Sequence, residues 1–424
     1  MITEELVFVA TCDISGHVRG KGFPRRELDA RLRKGVGWTH SNLMMSAFGP
    51  IFDTPFGTAG DLMIVPDPRA EVRVDFADGS APEHFFLGDI RTTDGAAWEC
   101  CPREFLRGAL QELRDVAGLE VAAAFEQEFV FTGVEERPGD AYALAAFRRQ
   151  GGFGGTFMAA LRAAGVRPDT FLAEYGGRQF EVTVAPAAGV SAADHAVITR
   201  EMARATAFRL GERAVFSPMP VAGGVGSGVH IHMSLQEKDG LPVTHEAGQP
   251  MGLSPVAQQF CAGVLAHLPG ICAITAPSPV SYLRLTPNRW APTAIDLVVQ
   301  DRGAALRVCP VFAAAKQEEA ELQFNVEFRV CDAAASPYLA LGAVVFAGAD
   351  GLRRGLKLPE AGAPVEELPK SLPEALARME ADEQVAGWMG KTLFEAYGRF
   401  KRSEVKETAE DSPGELCARY WEVY

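Results

Sequence analysis

The segment VAAAFEQEFVF, residues 121–131, alternates apolar and polar side chains with a period of two residues. In an extended chain, Phe125, Phe129 and Phe131 point to one side, and Glu126 and Glu128 point to the other. The segment is therefore predicted to form a β-strand. One face of this strand packs in an apolar core, and the opposite face carries two carboxylates.

Three further segments show the same division into an apolar face and a face of chemically versatile side chains. They are GGRQFEVTVAP at 176–186, with Gln179, Glu181 and Thr183; SGVHIHMSL at 227–235, with His230, His232 and Ser234; and LQFNVEFRVCD at 322–332, with Asn325, Glu327, Arg329 and Cys331. Any one polar face of this kind ordinarily meets water in an antiparallel sheet. The Glu-x-Glu, His-x-His and Glu-x-Arg patterns, with almost no lysine, favour convergence of the four faces at one site.

Convergence would gather five carboxylates and one imidazole, those of Glu126, Glu128, Glu174, Glu181, Glu327 and His230. Mutual repulsion and desolvation raise the pKa values of buried carboxylates, so such a cluster stays ionised only when cations accompany it. Ligands that are mostly oxygen, with a single imidazole, favour Mg²⁺ or Mn²⁺ over zinc. The sequence therefore predicts a divalent metal site.

Three arginines in apolar or Gly/Ala-rich segments suggest phosphate chemistry, because guanidinium groups match phosphate and carboxylate oxygens. They are Arg284 in SYLRLTP and Arg302 and Arg307 in DRGAALRVCP; structural ion pairs are an equally good interpretation of each one alone. The sequence contains neither a Walker A loop nor a G-x-G-x-x-G motif, which disfavours a P-loop or Rossmann nucleotide site. Gly226, in a glycine-rich run over 223–228, permits close approach of the backbone to a ligand.

The periodicity changes near Pro102. Short β-like runs alternate with turns over residues 1–101, and apolar residues recur at helical spacing from Phe105 onward. We predict an α+β protein with a strand-rich domain over residues 1–101 and a larger domain over residues 102–424. Prolines in the segment 355–372 predict a surface loop before a helical C-terminal region.

Composition narrows the possible partners of this 424-residue chain. Its net charge of −14 and the lack of a basic, aromatic-rich segment argue against a nucleic-acid groove. The sequence shows neither a secretory leader nor a run of about 20 apolar residues, so we expect a cytoplasmic protein without a membrane partner. The eight cysteines form no CxxC pair, so neither a disulfide framework nor a thiolate zinc site is expected.

The motifs, in this order, resemble those of the glutamine synthetase family. The resemblance rests on DISGHVRGKG, GDLMIVPD, FEQEF, EYGGRQFEV, GSGVHIHMSL, SYLRL, the arginines of DRGAALRV and NVEFRVCDAAASPYLAL, and it extends over nearly the whole chain. It implies an N-terminal β-grasp domain and a C-terminal catalytic domain whose antiparallel sheet forms a half-barrel surrounded by helices. It also implies hexameric rings or dodecamers, with active sites between neighbouring subunits.

The resemblance also implies roles for individual residues. One metal ion would bind Glu128, Glu174 and Glu181, and a second would bind Glu126, His230 and Glu327. Arg284, Arg329 and Gly226 would hold glutamate, whereas Arg302, Arg307, His232 and Ser234 would face ATP. With Arg302 and Arg284 neutralising charge, a carboxylate attacks the γ-phosphoryl group of ATP, and an amine then displaces phosphate from the acyl phosphate.

The sequence departs from the family where ammonia would be handled. Trp290 occupies the position of a flap glutamate that binds ammonium, and Thr39 aligns best with an aspartate that binds ammonium from the adjacent subunit. Asn325 replaces a phosphate-facing arginine, and Val225 replaces an asparagine beside the glutamate site. A large ring in place of an acid favours stacking or cation–π contact. We therefore predict a bulky acceptor amine, aryl or otherwise apolar, that contacts Trp290.

Other functions stay open at this stage. Arg284 and Arg329 specify carboxylates rather than glutamate itself, so the acid could be an analogue of glutamate. A true glutamine synthetase and a catalytically silent structural or regulatory relative are further alternatives. The silent alternative is disfavoured because nothing but metal binding and catalysis obviously requires the five acids and His230.

Overall fold

A computed structural model describes residue 2 and residues 4–287, 289–311, 316–360 and 362–424, with only the backbone described for residues 317–319. The first part of the chain contains five strands and one helix. These elements are β1 (Leu6–Cys12), β2 (Val18–Pro24), α1 (Leu28–Lys34), β3 (Val36–Thr39), β4 (Asp61–Val74) and β5 (Glu83–Thr92). The segment 60–67, which resembles a family motif, begins the long strand β4.

The five strands form one sheet in the order β2-β1-β5-β4-β3. The central pair, β1 and β5, is parallel, and the other pairs are antiparallel. Helix α1 packs against β4. Strand β4 continues through Pro66, and its pairing with β5 shifts register between Pro66 and Glu71. This arrangement confirms the expected N-terminal β-grasp fold.

The rest of the chain alternates strands and helices. Its strands are β6 (Leu119–Phe131), β7 (Pro168–Ala173), β8 (Gln179–Val184), β9 (Ala187–Ala188), β10 (Ala214–Val215), β11 (Val229–Glu237), β12 (Leu297–Val299), β13 (Leu306–Val308) and β14 (Val326–Phe328). Its helices are α2 (Pro102–Ala117), α3 (Leu144–Arg149), α4 (Phe153–Ala163), α5 (Val190–Arg209), α6 (Pro255–Thr275), α7 (Ser281–Arg284), α8 (Gln317–Gln323), α9 (Pro337–Arg354), α10 (Leu372–Ala381), α11 (Glu383–Glu407) and α12 (Pro413–Val423).

These strands build a nine-stranded sheet whose main path is β12-β13-β14-β11-β6-β8-β7. Strands β9 and β10 pair with β6, and β12 and β13 are the one parallel pair among the described ladders of this second sheet. The α+β fold class is therefore confirmed. Strand β14 is shorter than the predicted run 322–332: it has three residues, and Leu322 belongs to α8 instead.

The alternation in β6 has the predicted physical consequence. Phe125 and Phe129 are buried, whereas Glu126 and Glu128 on the other face are only partly covered. Helix α5 packs against β6, and helix α2 packs against α9. Helix α2 begins with Pro102 at its first turn, which suits a position whose N–H has no helical partner, and ends at Gly118 with a left-handed φ of 70°.

Helix α6 is the one described helix whose length and apolar character match those of a membrane span. Most of it is buried in the fold, where it packs against α9 and α10. A Cβ atom on Gly263 of α6 would lie 2.2 Å from the carbonyl oxygen of Ala347 in α9, so glycine permits the helices to touch through their backbones. These features are those of a core helix.

All eight cysteines are buried free thiols, as the scattered spacing predicts. The described part of the segment between α9 and α10 forms no helix or regular strand, as expected for a loop. It contacts the segment after α7, because the N–H of Leu368 donates to the carbonyl of Thr293. The division into domains at residue 101 stays a prediction.

A buried arginine joins the two sheets. Arg103, at the start of α2, donates to Asp89 of β5 at 2.6 Å, to Asp67 of β4 at 3.2 Å and to Asp194 of α5 at 2.8 Å. Its side chain is 1% exposed. Because buried acids without a counterion are strongly unfavourable, this guanidinium stabilises the contact between the first sheet and the helices of the second.

The Arg103 network gives a stability prediction. Arg103→Ala leaves three carboxylates buried without their shared cation, and we expect the free energy of unfolding to fall by about 3–5 kcal/mol. Arg69→Ala is the matched control, because Arg69 pairs with the same Asp67 but is 82% exposed; we expect a loss below about 1 kcal/mol. Urea unfolding measures both losses, and equal effects of the two substitutions would contradict the assignment.

Candidate active site

The register of four strands brings the predicted site residues face to face. On the β6–β11 ladder, Glu126 lies opposite His230, and on the β6–β8 ladder Glu128 lies opposite Glu181. On the β11–β14 ladder His232 lies opposite Glu327. Side chains directly opposite on neighbouring strands are about 4.5–5.5 Å apart at their Cβ atoms. The sheet alone therefore assembles the acids and imidazoles into one cluster.

Two overlapping groups in this cluster have the geometry of a metal site. Ligand atoms of Glu126, Glu128 and His230 all lie within 4.8 Å of one another, and so do those of Glu126, His232 and Glu327. His230 Nδ1 is 3.0 Å from Glu126 Oε1 and 3.4 Å from Glu327 Oε1. His232 Nε2 also approaches Glu126 Oε2, at 3.4 Å. Both imidazoles therefore face the carboxylates.

Glu174 reaches the cluster from the loop after β7. Its Oε1 accepts a hydrogen bond from the hydroxyl of Tyr142 at 2.6 Å, and its Oε2 accepts one from the N–H of Tyr175 at 2.9 Å. Glu174 and Glu181 line a cavity of about 720 Å³ together with Glu126 and Glu128. Four of the five predicted metal-binding acids therefore line one cavity. The fifth, Glu327, is outside this lining and approaches His230, which belongs to it.

Burial separates the proton affinities of these acids. It raises the pKa of Glu128 to about 8 and, together with the charge of Glu126, raises the pKa of Glu181 to about 10. Burial also acts on Glu126, but hydrogen bonds with His230 and His232 hold its pKa well below the usual range. An excess of buried acid over positive charge is what a divalent cation relieves, and oxygen with imidazole suits Mg²⁺ or Mn²⁺. The donor set therefore fits the implied metal.

Three of the predicted arginines, Arg284, Arg307 and Arg329, are buried. Arg284 Nη2 donates to the carbonyls of Val330 and Cys331, at 2.9 and 3.0 Å. Arg307 Nη1 donates to Glu327 Oε2 at 2.6 Å, and Arg329 contacts the other oxygen of the same carboxylate. Positive charge from His230 and Arg329 outweighs burial and lowers the pKa of Glu327 to about 2.

Arg284, Arg302 and Arg329 line the 720 Å³ cavity. The guanidinium of Arg329 also donates to two backbone carbonyls, that of Arg302 at 3.0 Å and that of Trp290 at 3.2 Å. Arg329 thus ties the segment after α7 to the end of β14. Arg307 lies against Glu327, outside this lining, whereas Arg302 belongs to it.

A second cavity, of about 430 Å³, lies beside the first. His232, Ser234 and Asn325 line it, and Glu126 lines both cavities. His232 Nδ1 is 2.9 Å from Asn325 Oδ1. The two cavities therefore meet at the carboxylate cluster, which is the arrangement that a reaction between two large substrates requires.

The glycine-rich segment before β11 forms one wall of the larger cavity. A Cβ atom on Gly226 would lie 2.5 Å from Arg284 Cγ, and one on Gly228 would lie 2.7 Å from His230 Nε2. Gln179 Nε2 donates to the carbonyl of Gly226 at 2.9 Å. Close approach of the backbone to Arg284 and His230 thus requires glycine at both positions.

Aromatic residues that sequence reasoning missed stand at the mouth of this cavity. Tyr175 stacks against Trp290 with ring centroids 5.9 Å apart, and Tyr142 meets Tyr175 edge-on at 5.4 Å. Tyr175 follows Glu174 directly, a proximity that could have identified it. Tyr142 belongs to the segment before α3, where no pattern pointed to it. Thr39 lies elsewhere, in β3, and donates to the carbonyl of Gly60 at 3.2 Å.

Comparison with known proteins agrees with this fold and site. Residues 99–417 match the family described as glutamine synthetase, catalytic domain, and residues 2–98 match the glutamine synthetase N-terminal domain. The fold and site are those of an ATP-dependent carbon–nitrogen ligase. The chain belongs to the glutamine synthetase family.

Individual relatives span almost the full length of the chain. The gamma-glutamylpolyamine synthetase GlnA3 of Streptomyces coelicolor is 33% identical over 92% of this chain and 87% of its own length. A crystal structure described as a novel glutamine synthase homolog is 41% identical, with a TM-score of 0.95 over 100% of this chain and 99% of that one. A GmaS/ADP complex, 24% identical with a TM-score of 0.83 over 96% of this chain and 95% of its own, shares the fold.

The pKa shifts predict coupling between metal and protons. At pH 7 the raised pKa values keep Glu128 and Glu181 protonated in the metal-free protein, so Mg²⁺ or Mn²⁺ binding should release about two protons per chain. Metal affinity should rise from pH 6 to pH 9 for the same reason. Calorimetric titration in buffers of different ionisation enthalpy measures the release, and an identical binding enthalpy in every buffer would contradict it.

Glu181→Gln removes one of the two acids that hold a proton. We expect proton release to fall to about one per chain and metal affinity to fall with it. Glu135→Gln is the control, because Glu135 is a surface acid, 70% exposed and paired with Arg137. This control should leave both quantities unchanged.

Proposed function

We propose that this enzyme joins the γ-carboxylate of glutamate to an amine other than ammonia at the expense of ATP. The observation that carries the proposal is the position of the carboxylate cluster between two cavities, with Glu126 lining both. Arginines line the larger cavity, which suits a dicarboxylate substrate. The smaller cavity, beside His232 and Ser234, suits a nucleotide.

The reaction follows from this arrangement. The γ-carboxylate oxygen attacks the terminal phosphorus of ATP, the bond from phosphorus to the bridging oxygen of ADP breaks, and an acyl phosphate forms. The amine nitrogen then attacks the acyl carbon, phosphate leaves, and the nitrogen loses a proton. Arg302 stabilises negative charge on the phosphoryl group, while Arg284 and Arg329 orient the acid.

Two or more Mg²⁺ or Mn²⁺ ions, when bound, would neutralise the phosphates and the clustered acids. We assign one ion to Glu128, Glu174 and Glu181 and another to Glu126, His230 and Glu327. The geometry adds His232 as an alternative ligand beside Glu126 and Glu327. Contact of Arg307 with Glu327 supports an indirect role for this arginine, in which it positions a ligand rather than a phosphate.

The acceptor site supports an amine with an apolar or aromatic body. Trp290 is 64% exposed, lines the larger cavity and stacks with Tyr175, so a flat apolar surface stands where a family member carries an acid. An aryl amine is neutral at pH 7 and needs no base before it attacks. An alkylammonium must first lose a proton, which a flap carboxylate would assist.

A polyamine is the second candidate, because the relative GlnA3 is named a gamma-glutamylpolyamine synthetase. A polyamine carries a distal ammonium group that an acid would have to meet. Among the described residues that line the larger cavity, every carboxylate belongs to the proposed metal ligands. This distribution of charge favours an aryl or apolar monoamine over a polyamine.

As the resemblance implies, we also expect a hexameric ring or a dodecamer. We expect the enzyme to be cytoplasmic.

An amine screen tests the proposal. The full-length enzyme with glutamate, ATP and Mg²⁺ is assayed for phosphate release and, by mass spectrometry, for the amide, across ammonium, alkylamines, polyamines and aryl amines. We expect larger amines to exceed ammonium in kcat/KM. Ammonium-dependent turnover above that of every larger amine would overturn the proposal, and the absence of any ATP turnover would support the silent alternative.

Trp290→Glu tests the role of the flap. A carboxylate at this position attracts ammonium and removes the stacking surface, so the ratio of ammonium-dependent to aryl-amine-dependent kcat/KM should rise by about tenfold or more. Trp290→Phe retains a ring and should retain most of the preference. Phe208→Glu is the control, because Phe208 is an aromatic residue, 78% exposed, outside both cavities. An unchanged ratio in Trp290→Glu would exclude Trp290 from acceptor selection.

A further inference from the structure

Arg289, next to Trp290, is a cationic side chain in the wall of the larger cavity. Its Nη1 donates to the carbonyls of Gly223, at 3.0 Å, and Gly224. These two bonds fasten the segment after α7 to the glycine-rich wall. Arg329, from the opposite side, holds the carbonyl of Trp290. The segment is thus fixed at two neighbouring residues.

No carboxylate of the described residues forms an ion pair with Arg289, although the other cavity-lining arginines near the cluster, Arg284 and Arg329, each approach an acid. Within the described part of the chain, its hydrogen bonds use only Nη1 and neutral carbonyls. The Nε–H and the N–H groups of Nη2 are thus available to a ligand, and a guanidinium has its donors arranged to meet both oxygens of a carboxylate. Arg289 is therefore a charged group with unused donors at the cavity wall.

The aromatic residues beside Arg289 have strained backbones. Trp290 has a φ of 56° and Tyr142 a φ of 54°, a region that large side chains seldom adopt and that costs about 1–3 kcal/mol. Both rings contact Tyr175 at the cavity mouth. Two of the six described non-glycine residues with a positive φ therefore line this cavity, and backbone strain at a binding wall supports a role in recognition.

We propose that the acceptor is an anionic ring amine, in which the ring lies on Trp290 and Tyr175 and a carboxylate-class group meets Arg289. This inference rests on the proposed function and names its substrate class. Arg289 repels the distal ammonium of a polyamine and attracts an acidic substituent. The two carboxylates of glutamate bind Arg284 and Arg329 instead. These arginines are 4% and 3% exposed and are more buried than Arg289.

Three amines of matched shape test the charge preference. They are meta-aminophenylacetamide, meta-aminophenylacetate and (meta-aminobenzyl)trimethylammonium, in which a methylene group insulates the reacting nitrogen from an uncharged, anionic or cationic substituent. With the full-length enzyme, glutamate, ATP and Mg²⁺, we expect kcat/KM to be highest for the anionic amine and lowest for the cationic amine. A charge-assisted bidentate contact is expected to give about a tenfold preference over the uncharged amine.

Substitution of Arg289 identifies the source of the preference. In Arg289→Gln the ratio of kcat/KM for the anionic amine to that for the uncharged amine should fall about tenfold, and in Arg289→Glu the order of anionic and cationic amines should reverse. Arg289→Lys, which retains the charge, should retain part of the ratio. Arg162→Gln is the control, because Arg162 is exposed on α4 and outside the cavity, and it should not change the ratio.

The outcomes separate this inference from the function on which it rests. Efficient use of ammonium alone overturns the proposed function. Use of larger amines with a preference for uncharged or cationic ones, polyamines included, overturns the anionic acceptor and leaves the ligase proposal standing. Equal losses with all three amines in Arg289→Gln would reduce Arg289 to a structural anchor of the Gly223–Gly224 contact and would also overturn the inference.

Discussion

The structure depends on one electrostatic constraint: acids that are buried beside one another on the polar face of a sheet must receive positive charge. Glu128 and Glu181 face each other across β6 and β8, and burial raises both of their pKa values. The pKa values of Glu126 and Glu327 are lowered because imidazoles and guanidinium groups approach them. The protein's own cations therefore neutralise only part of the negative charge of these carboxylates. Divalent metal ions are suited to neutralise the rest.

The same sheet links this charge to the core of the protein. In β6 the phenylalanines are buried on the face opposite the acids, and their burial fixes the register. A slip of one residue would place the acids in the core and the rings in the cavity. Apolar packing beneath the sheet thus fixes the register in which Glu126 lies opposite His230 on the β6–β11 ladder. Catalytic groups held on rigid strands need little reorganisation when substrates bind.

Much of this arrangement could be predicted from the sequence because strand periodicity assigns each side chain to a face. The acids of β6 and β8 and the histidines of β11 follow that rule. Contacts that depend on segments between the elements could not be predicted in the same way. The stack of Tyr175 on Trp290 and the bonds of Arg289 depend on local backbone angles, and the placement of Arg307 on Glu327 depends on pairing of the short strands β13 and β14.

In the proposed function, the phosphoryl-transfer side and the acceptor side of the larger cavity have different electrostatic demands, so the acceptor can change without loss of the phosphoryl-transfer chemistry. Phosphoryl transfer needs the acids with metal and the arginines around them, so those side chains are constrained together by mutual compensation. In the same proposal, the acceptor side, at Trp290 and Arg289, supplies neither a metal ligand nor a phosphate contact. A tryptophan in place of an acid would remove attraction for a small cation, and Arg289 beside it would make the local charge more positive. Under this proposal both residues act in the same direction, away from ammonium and toward a ring without a positive charge.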